Sequence, residues 1–162
     1  MNTERTEYTP KLWVGIDQSY SGFGLVTLDE NGNMLSQDLW SFPPQETDGE
    51  RLREIREVLT EAVDIISSIR SDSLGLPAFA MEDYAYGKTF NREKMGELGG
   101  VIKMVIPEVI TYPPQTVKKF MTGNGRASKE EMLSVVQTHE PSITNHNVAD
   151  AYAIARMLYS SQ

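Results

Sequence analysis

Asp17 ends an apolar run, Leu12-Trp13-Val14-Gly15-Ile16, and a polar, glycine-bearing stretch, QSYSGFG, follows at once. Such a run reads as a strand buried on both faces, and a carboxylate left unpaired at its end is costly. A turn amide, a basic side chain or a metal ion could compensate it. Glu82 ends a second apolar run in AMEDYAYG, and Asp150 lies inside an apolar-periodic helix in HNVADAY. If the two strands are neighbours and the helix crosses their ends, three carboxylates converge. Converging oxygens with room for water and phosphate are what a hard divalent cation takes. Each residue also has a plainer reading. An Asp after a strand forms turns, and either Glu82 or its neighbour Asp83 could simply face solvent. Asp150, set among Val148, Ala149, Ala151 and Ile154, is on or near an apolar face and is harder to dismiss.

His146 and Asn147 precede Asp150 by four and three residues and so share its helix face. Either could be a fourth ligand or an acid/base group, and either could instead cap the helix after Thr144. Tyr84, Tyr86 and Phe90 trail Glu82, where they could stack on unpaired bases or pack under a loop. Between Gln115 and Lys129 stand Lys118, Lys119, Arg126 and Lys129 with no acid among them. That run suits a DNA phosphate backbone; a solvated helix face is the alternative.

These side chains need a frame. Residues 1 to 10 read as a loose lead-in, followed by strands over 11 to 17, 22 to 29 and 34 to 42, with Asn31-Gly32 marking a hairpin. Leu52, Ile55, Leu59, Ala62, Ile66 and Ile69 recur with helical spacing behind a Thr47/Glu50 capping box. PAFAMED then reads as a fourth strand, 91 to 106 as a helix whose glycines suggest close approach to a neighbour, and EVITY as a fifth strand. Pro113-Pro114 starts a helix that Gly123 to Gly125 interrupts, Ser128 with Glu131 caps another, and a last helix carries Val148, Ala151, Ile154 or Ala155, and Leu158 on its apolar side. Three antiparallel strands followed by alternating helices and strands imply one α/β domain over 1 to 162, a five-stranded mixed sheet flanked by helices.

Composition agrees with an ordinary globular chain: 40% hydrophobic, 23% charged, no cysteine and no signal-peptide or membrane-length apolar run. The absence of cysteine excludes disulfides and thiolate chemistry, and a cytoplasmic setting without membrane contact is expected. A net charge of −8 argues mildly against nucleic acid, so any DNA contact must come from the local basic run, acting by contact more than by steering.

VGIDQSYSGFGLV, AMEDYAYG, MGELGGVIK, YPPQTVKKFMTGNGRASKEEM and VADAYAIA stand in the order found in the RuvC family of Holliday junction resolvases, which the chain resembles over about residues 11 to 158, as a divergent or phage-type member. The resemblance implies a ribonuclease H-like fold, a homodimer, two Mg2+ or Mn2+ ions per active site, no nucleotide cofactor, and paired nicking of four-way DNA junctions. Carried over, the metal ligands are Asp17, Glu82 and Asp150, with Asn147 standing where the family carries Asp or His; His146, one residue earlier, is a substitute. Lys118 and Lys129 match lysines that contact DNA near the cut, with Lys119 and Arg126 alongside them in the basic run, and Tyr84 and Tyr86 are the candidates for the family's junction-opening aromatic, in a register that is not identical. Three rivals stand beside this reading: a junction binder of the same fold that no longer cuts, a ribonuclease H-like nuclease for RNA or flaps, and an actin-like ATPase lobe, whose phosphate loop GIDQSYSGFG also resembles but which needs a second lobe.

Overall fold

The first two strands, β1 (Trp13–Asp17) and β2 (Phe23–Leu28), are buried residue by residue, as their unbroken apolar runs require of central strands. β3 (Met34–Trp40) alternates between half-buried and exposed, the mark of an edge. Then follow α1 (Asp48–Ser68), β4 (Ala78–Glu82), α2 (Arg92–Val105), β5 (Ile110–Tyr112), α3 (Pro114–Thr122), α4 (Lys129–His139) and α5 (His146–Ser160). The computed structural model describes residues 12–69, 76–83 and 92–161. The expected lead-in over 1 to 10 and the aromatics Tyr84, Tyr86 and Phe90 lie outside the described residues.

The sheet order is β3-β2-β1-β4-β5. β1 pairs antiparallel with β2 and β2 with β3, whereas β4 runs parallel to both β1 and β5. The mixed five-stranded sheet read from the sequence is therefore present, with its first and fourth strands side by side. Strand alternation divides the core in two. Val14, Ile16, Phe79 and Met81 pack with Ile55 and Leu59 of α1 and Leu98 and Ile102 of α2. Trp13 and Ala80 pack on the opposite face with α5, behind which stand Val117 of α3 and Met132 and Val136 of α4.

Helix boundaries follow local chemistry. Both capping boxes are formed, Thr47 with Glu50 and Ser128 with Glu131. Pro114 opens α3, and Gly123, at φ 81°, closes it in the left-handed conformation that favours glycine. Two details differ from expectation. Ile69, expected on the apolar face of α1, is its C-cap and is 49% exposed. A methyl group on Gly100 of α2 would meet nothing within 4 Å among the described residues, so the close neighbour its glycine suggested is not found there.

Candidate active site

The parallel register of β1 and β4 ends at Ile16 opposite Met81, which brings Asp17 and Glu82 out together at one edge of the sheet. Both continue the face on which Trp13 and Ala80 meet α5. α5 lies directly on the backbone there. A methyl group on Gly24, the ladder partner of Asp17, would stand 2.5 Å from the carbonyl oxygen of Asn147. The first turn of α5 therefore crosses over Asp17 and delivers Asp150 to the same place. Of the two candidate acids at the end of β4, Glu82 joins this cluster, while the amide of Asp83 donates to Tyr112 O at 2.8 Å and continues the pairing with β5.

The three carboxylates interact. Burial, then Asp150, then Glu82 hold the Asp17 carboxyl well above the usual carboxylate range, against the pull of Lys129. Burial and the charge of Asp150 push Glu82 up to about 7, opposed by Lys118 and Lys129. Burial also raises Asp150, but Lys129, Lys118 and His146 all favour its charged form. Lys118 and Lys129 thus face the acids. They are positioned by α3, anchored through the fully buried Val117, and by the first residue of α4. Lys119 and Arg126 are exposed and stand farther out on the same stretch. The loop between the helices is tied down: Asn124 Oδ1 accepts from the Arg126 amide at 3.0 Å, and Thr122 Oγ1 donates to Lys118 O at 2.8 Å.

Asn145, one residue before the helix, is the N-cap of α5, its side chain accepting from the amides of Asn147 and Val148. That frees His146 and Asn147 from the capping role the sequence allowed them. The Asn147 amide lies over Gly22, where a methyl group would meet Nδ2 at 2.0 Å. The His146 Nδ1 is 3.2 Å from the carbonyl oxygen of Lys129. Facing a carbonyl, that nitrogen must donate, so in the neutral imidazole the acceptor lone pair falls on Nε2, where it can take a metal or a proton.

Among the described residues, no group of three or more His, Asp and Glu side chains is drawn together tightly enough to hold a metal ion as it stands. Like charges repel, and these three are no exception. The donor set nevertheless fits a hard divalent cation: buried carboxylate oxygens that feel one another's charge, with the nearest lysines carried on neighbouring helices. A recess of about 620 Å3 runs along α1 past Arg56, Glu57 and Glu61, and none of the three acids lines it.

The family model described as Crossover junction endodeoxyribonuclease RuvC matches residues 13–157. This chain belongs to the RuvC family. The crossover junction endodeoxyribonuclease RuvC of Salinibacter ruber is 30% identical over 156 residues, covering 88% of this chain and 81% of its own. That of Parasynechococcus marenigrum is 29% identical over 153 residues, covering 88% and 94%. Among solved structures, Thermus thermophilus RuvC superposes with a TM-score of 0.70 at 25% identity, covering 93% of this chain and 95% of its own. The same protein in complex with a Holliday junction substrate gives 0.72, at 25% identity, covering 93% and 94%. The ribonuclease H-like fold that the motifs implied is the fold of this RuvC-family chain.

Several residues around the RuvC-family site escaped the sequence reading. Gly15, Gly22 and Gly24 look like turn-formers in GIDQSYSGFG, yet each lies against a residue of α5. Gln18 follows Asp17 with no periodicity or motif to single it out. Its side chain is 5% exposed and its Nε2 donates to the backbone carbonyl of Glu82 at 2.7 Å.

Proposed function

We propose that this chain is a divalent-metal-dependent endonuclease that resolves four-way DNA junctions by paired nicks, and that its chemistry resides in Asp17, Glu82 and Asp150. The observation that carries the assignment is the convergence of these three carboxylates, in a RuvC-family fold, beneath Lys118 and Lys129. The carboxylates, completed by Asn147 or His146, would hold two Mg2+ or Mn2+ ions. Ions bound there would supply an activated water and neutralise charge on the leaving 3′ oxygen.

The chain's own groups do the rest. Lys118 and Lys129 draw the scissile phosphate over the acids and stabilise the charge it gains as the bond breaks. Lys119 and Arg126 hold the flanking backbone, and Tyr84 or Tyr86 stacks on bases at the opened crossover. His146 Nε2 is placed to carry a proton or complete the ligand set, and no nucleotide cofactor takes part. Paired cuts need two sites, so the active form is a homodimer, with α2 as the contact: among the described residues nothing stands within 4 Å of where a methyl group on Gly100 would lie, and Met104 is 72% exposed on that helix. Among the described residues no helix is long and apolar enough to cross a membrane, and DNA as substrate places the work in the cytoplasm.

A second reading rests on Asn147, a neutral amide where the family carries an acid or a histidine: a junction binder that does not cut. Incision of a labelled four-way junction in millimolar Mn2+ or Mg2+, by this chain and by Asn147→Asp, separates the two. Symmetric cutting by both supports the resolvase as it stands. Cutting by the Asp form alone identifies Asn147 as the disabling residue. Binding without cutting by both overturns the catalytic assignment.

A further inference from the structure

We infer that Gln18 is a positioning residue, a clasp between the two strand ends that carry Asp17 and Glu82. The inference rests on the metal-site reading above and adds the device that sets the spacing of two of its ligands. The ladder between β1 and β4 runs from Trp13 opposite Ala78 to Ile16 opposite Met81, and stops one residue short of both acids. Beyond that point the Gln18 side chain takes over: its Nε2 donates to the Glu82 carbonyl oxygen at 2.7 Å, a side-chain bond where the next ladder bond would fall.

The direction of this bond is fixed, because only the NH2 end of the amide can meet a carbonyl oxygen. The other end, Oε1, is buried and has no hydrogen-bond partner among the described residues. An orphaned acceptor is unfavourable, so Gln18 is a poor choice for stability alone. What it provides is a strap on the backbone of Glu82 that leaves both carboxylates free. The bond spans two strand ends that bear like charges, just beyond the last ladder pair, Ile16 opposite Met81.

Gln18→Met keeps the length and apolar stem, removes the donor and also removes the orphaned acceptor. Mn2+ binding is measured by calorimetry without DNA, thermal melting in EDTA, and junction binding in EDTA; Gln18→Leu repeats each measurement in case the first variant folds poorly. The expected result is a Mn2+ affinity weaker by about 10-fold, with junction binding unchanged and melting in EDTA unchanged or raised. A lowered melting temperature with Mn2+ affinity within about twofold of the parent protein overturns the clasp and makes Gln18 a packing residue, leaving the metal reading intact. If the parent protein itself binds no Mn2+, the metal reading falls and the clasp with it.

Discussion

Gly15 lies against Ala151 so closely that a methyl group on Gly15 would stand 2.0 Å from the Ala151 carbonyl oxygen and 2.5 Å from the Ala155 amide nitrogen. Both neighbours are helix backbone, which cannot step aside without moving α5 as a body. Asp150 is the residue before Ala151, and Asp17 lies two residues after Gly15 on the same strand face. The missing side chain at Gly15 is thus part of what brings the two acids together.

Gly15→Ala should therefore destabilise the fold by about 3 kcal/mol, through overpacking against backbone, and should also abolish cutting by lifting Asp150 off the sheet. Gly22→Ala is the contrast. The three atoms nearest its methyl group all belong to the Asn147 side chain, which can rotate away. Stability should change by less than about 1 kcal/mol while the Asn147 amide is displaced. Urea unfolding of both variants, with junction incision alongside, checks the pair; equal losses of stability would mean that α5 is not held where the structure places it.

The acids also set how stability responds to pH. Glu82 is raised to about 7 from an ordinary value of 4.5, and Asp17 and Asp150 are raised as well. A raised carboxyl gives the folded state protons that the unfolded chain releases. Its contribution is complete below the unfolded value and is lost as pH rises through the folded one. In EDTA the protein should lose on the order of 3 kcal/mol between pH 5 and pH 8 from Glu82 alone. Added Mn2+ competes with those protons and should stabilise strongly at pH 8 and little at pH 5. Melting curves across this range decide it; rising stability with pH in EDTA would contradict the buried cluster.

Much of this site was legible because strand periodicity and helix spacing are local signals. Asp17, Glu82 and Asp150 each stand at a position fixed by apolar pattern; the glycine-bearing stretch after Asp17 turned β1 back along β2 and the hairpin signal at Asn31-Gly32 turned β2 back along β3, leaving the other edge of β1 for β4. The motif order supplied the rest of the topology. What could not be read was contact between distant backbones. Gly15 and Gly24 have the same letters as turn glycines, and only α5 lying on them shows their purpose. Gln18 was silent for a similar reason: its bond to Glu82 spans 64 residues, and no spacing rule reaches that far. Gly100 misled in the opposite direction, since a helix glycine reports that something comes close without saying whether it belongs to the same chain.

That glycine leads to the dimer prediction. If α2 is the contact, Met104→Asp places a charge at its centre without touching the core, because Met104 is 72% exposed in the isolated chain. Sedimentation should show the parent protein as a dimer and the variant as a monomer. The monomer should still nick a junction but lose the coordination of its two cuts, releasing singly nicked product. A variant that stays dimeric would move the interface elsewhere.

Lys129 and Lys119 belong to one basic stretch but should fail differently. Lys129 favours the charged form of all three acids, whereas Lys119 is exposed and acts on none of them by the interactions that shift their pKa values. Removing Lys129 must raise those carboxyls further. Protons then compete with metal up to a higher pH, so the acid limb of the Mn2+-dependent cutting profile should move upward in Lys129→Ala. Lys119→Ala should leave the profile in place and weaken junction binding, reducing the salt dependence by about one phosphate contact, a slope change of about 1 in log affinity against log salt. Incision rates from pH 6 to 9, together with binding at several salt concentrations, test both halves. An unmoved acid limb in Lys129→Ala would mean that this lysine acts on the DNA alone and that the acids ionise independently of it.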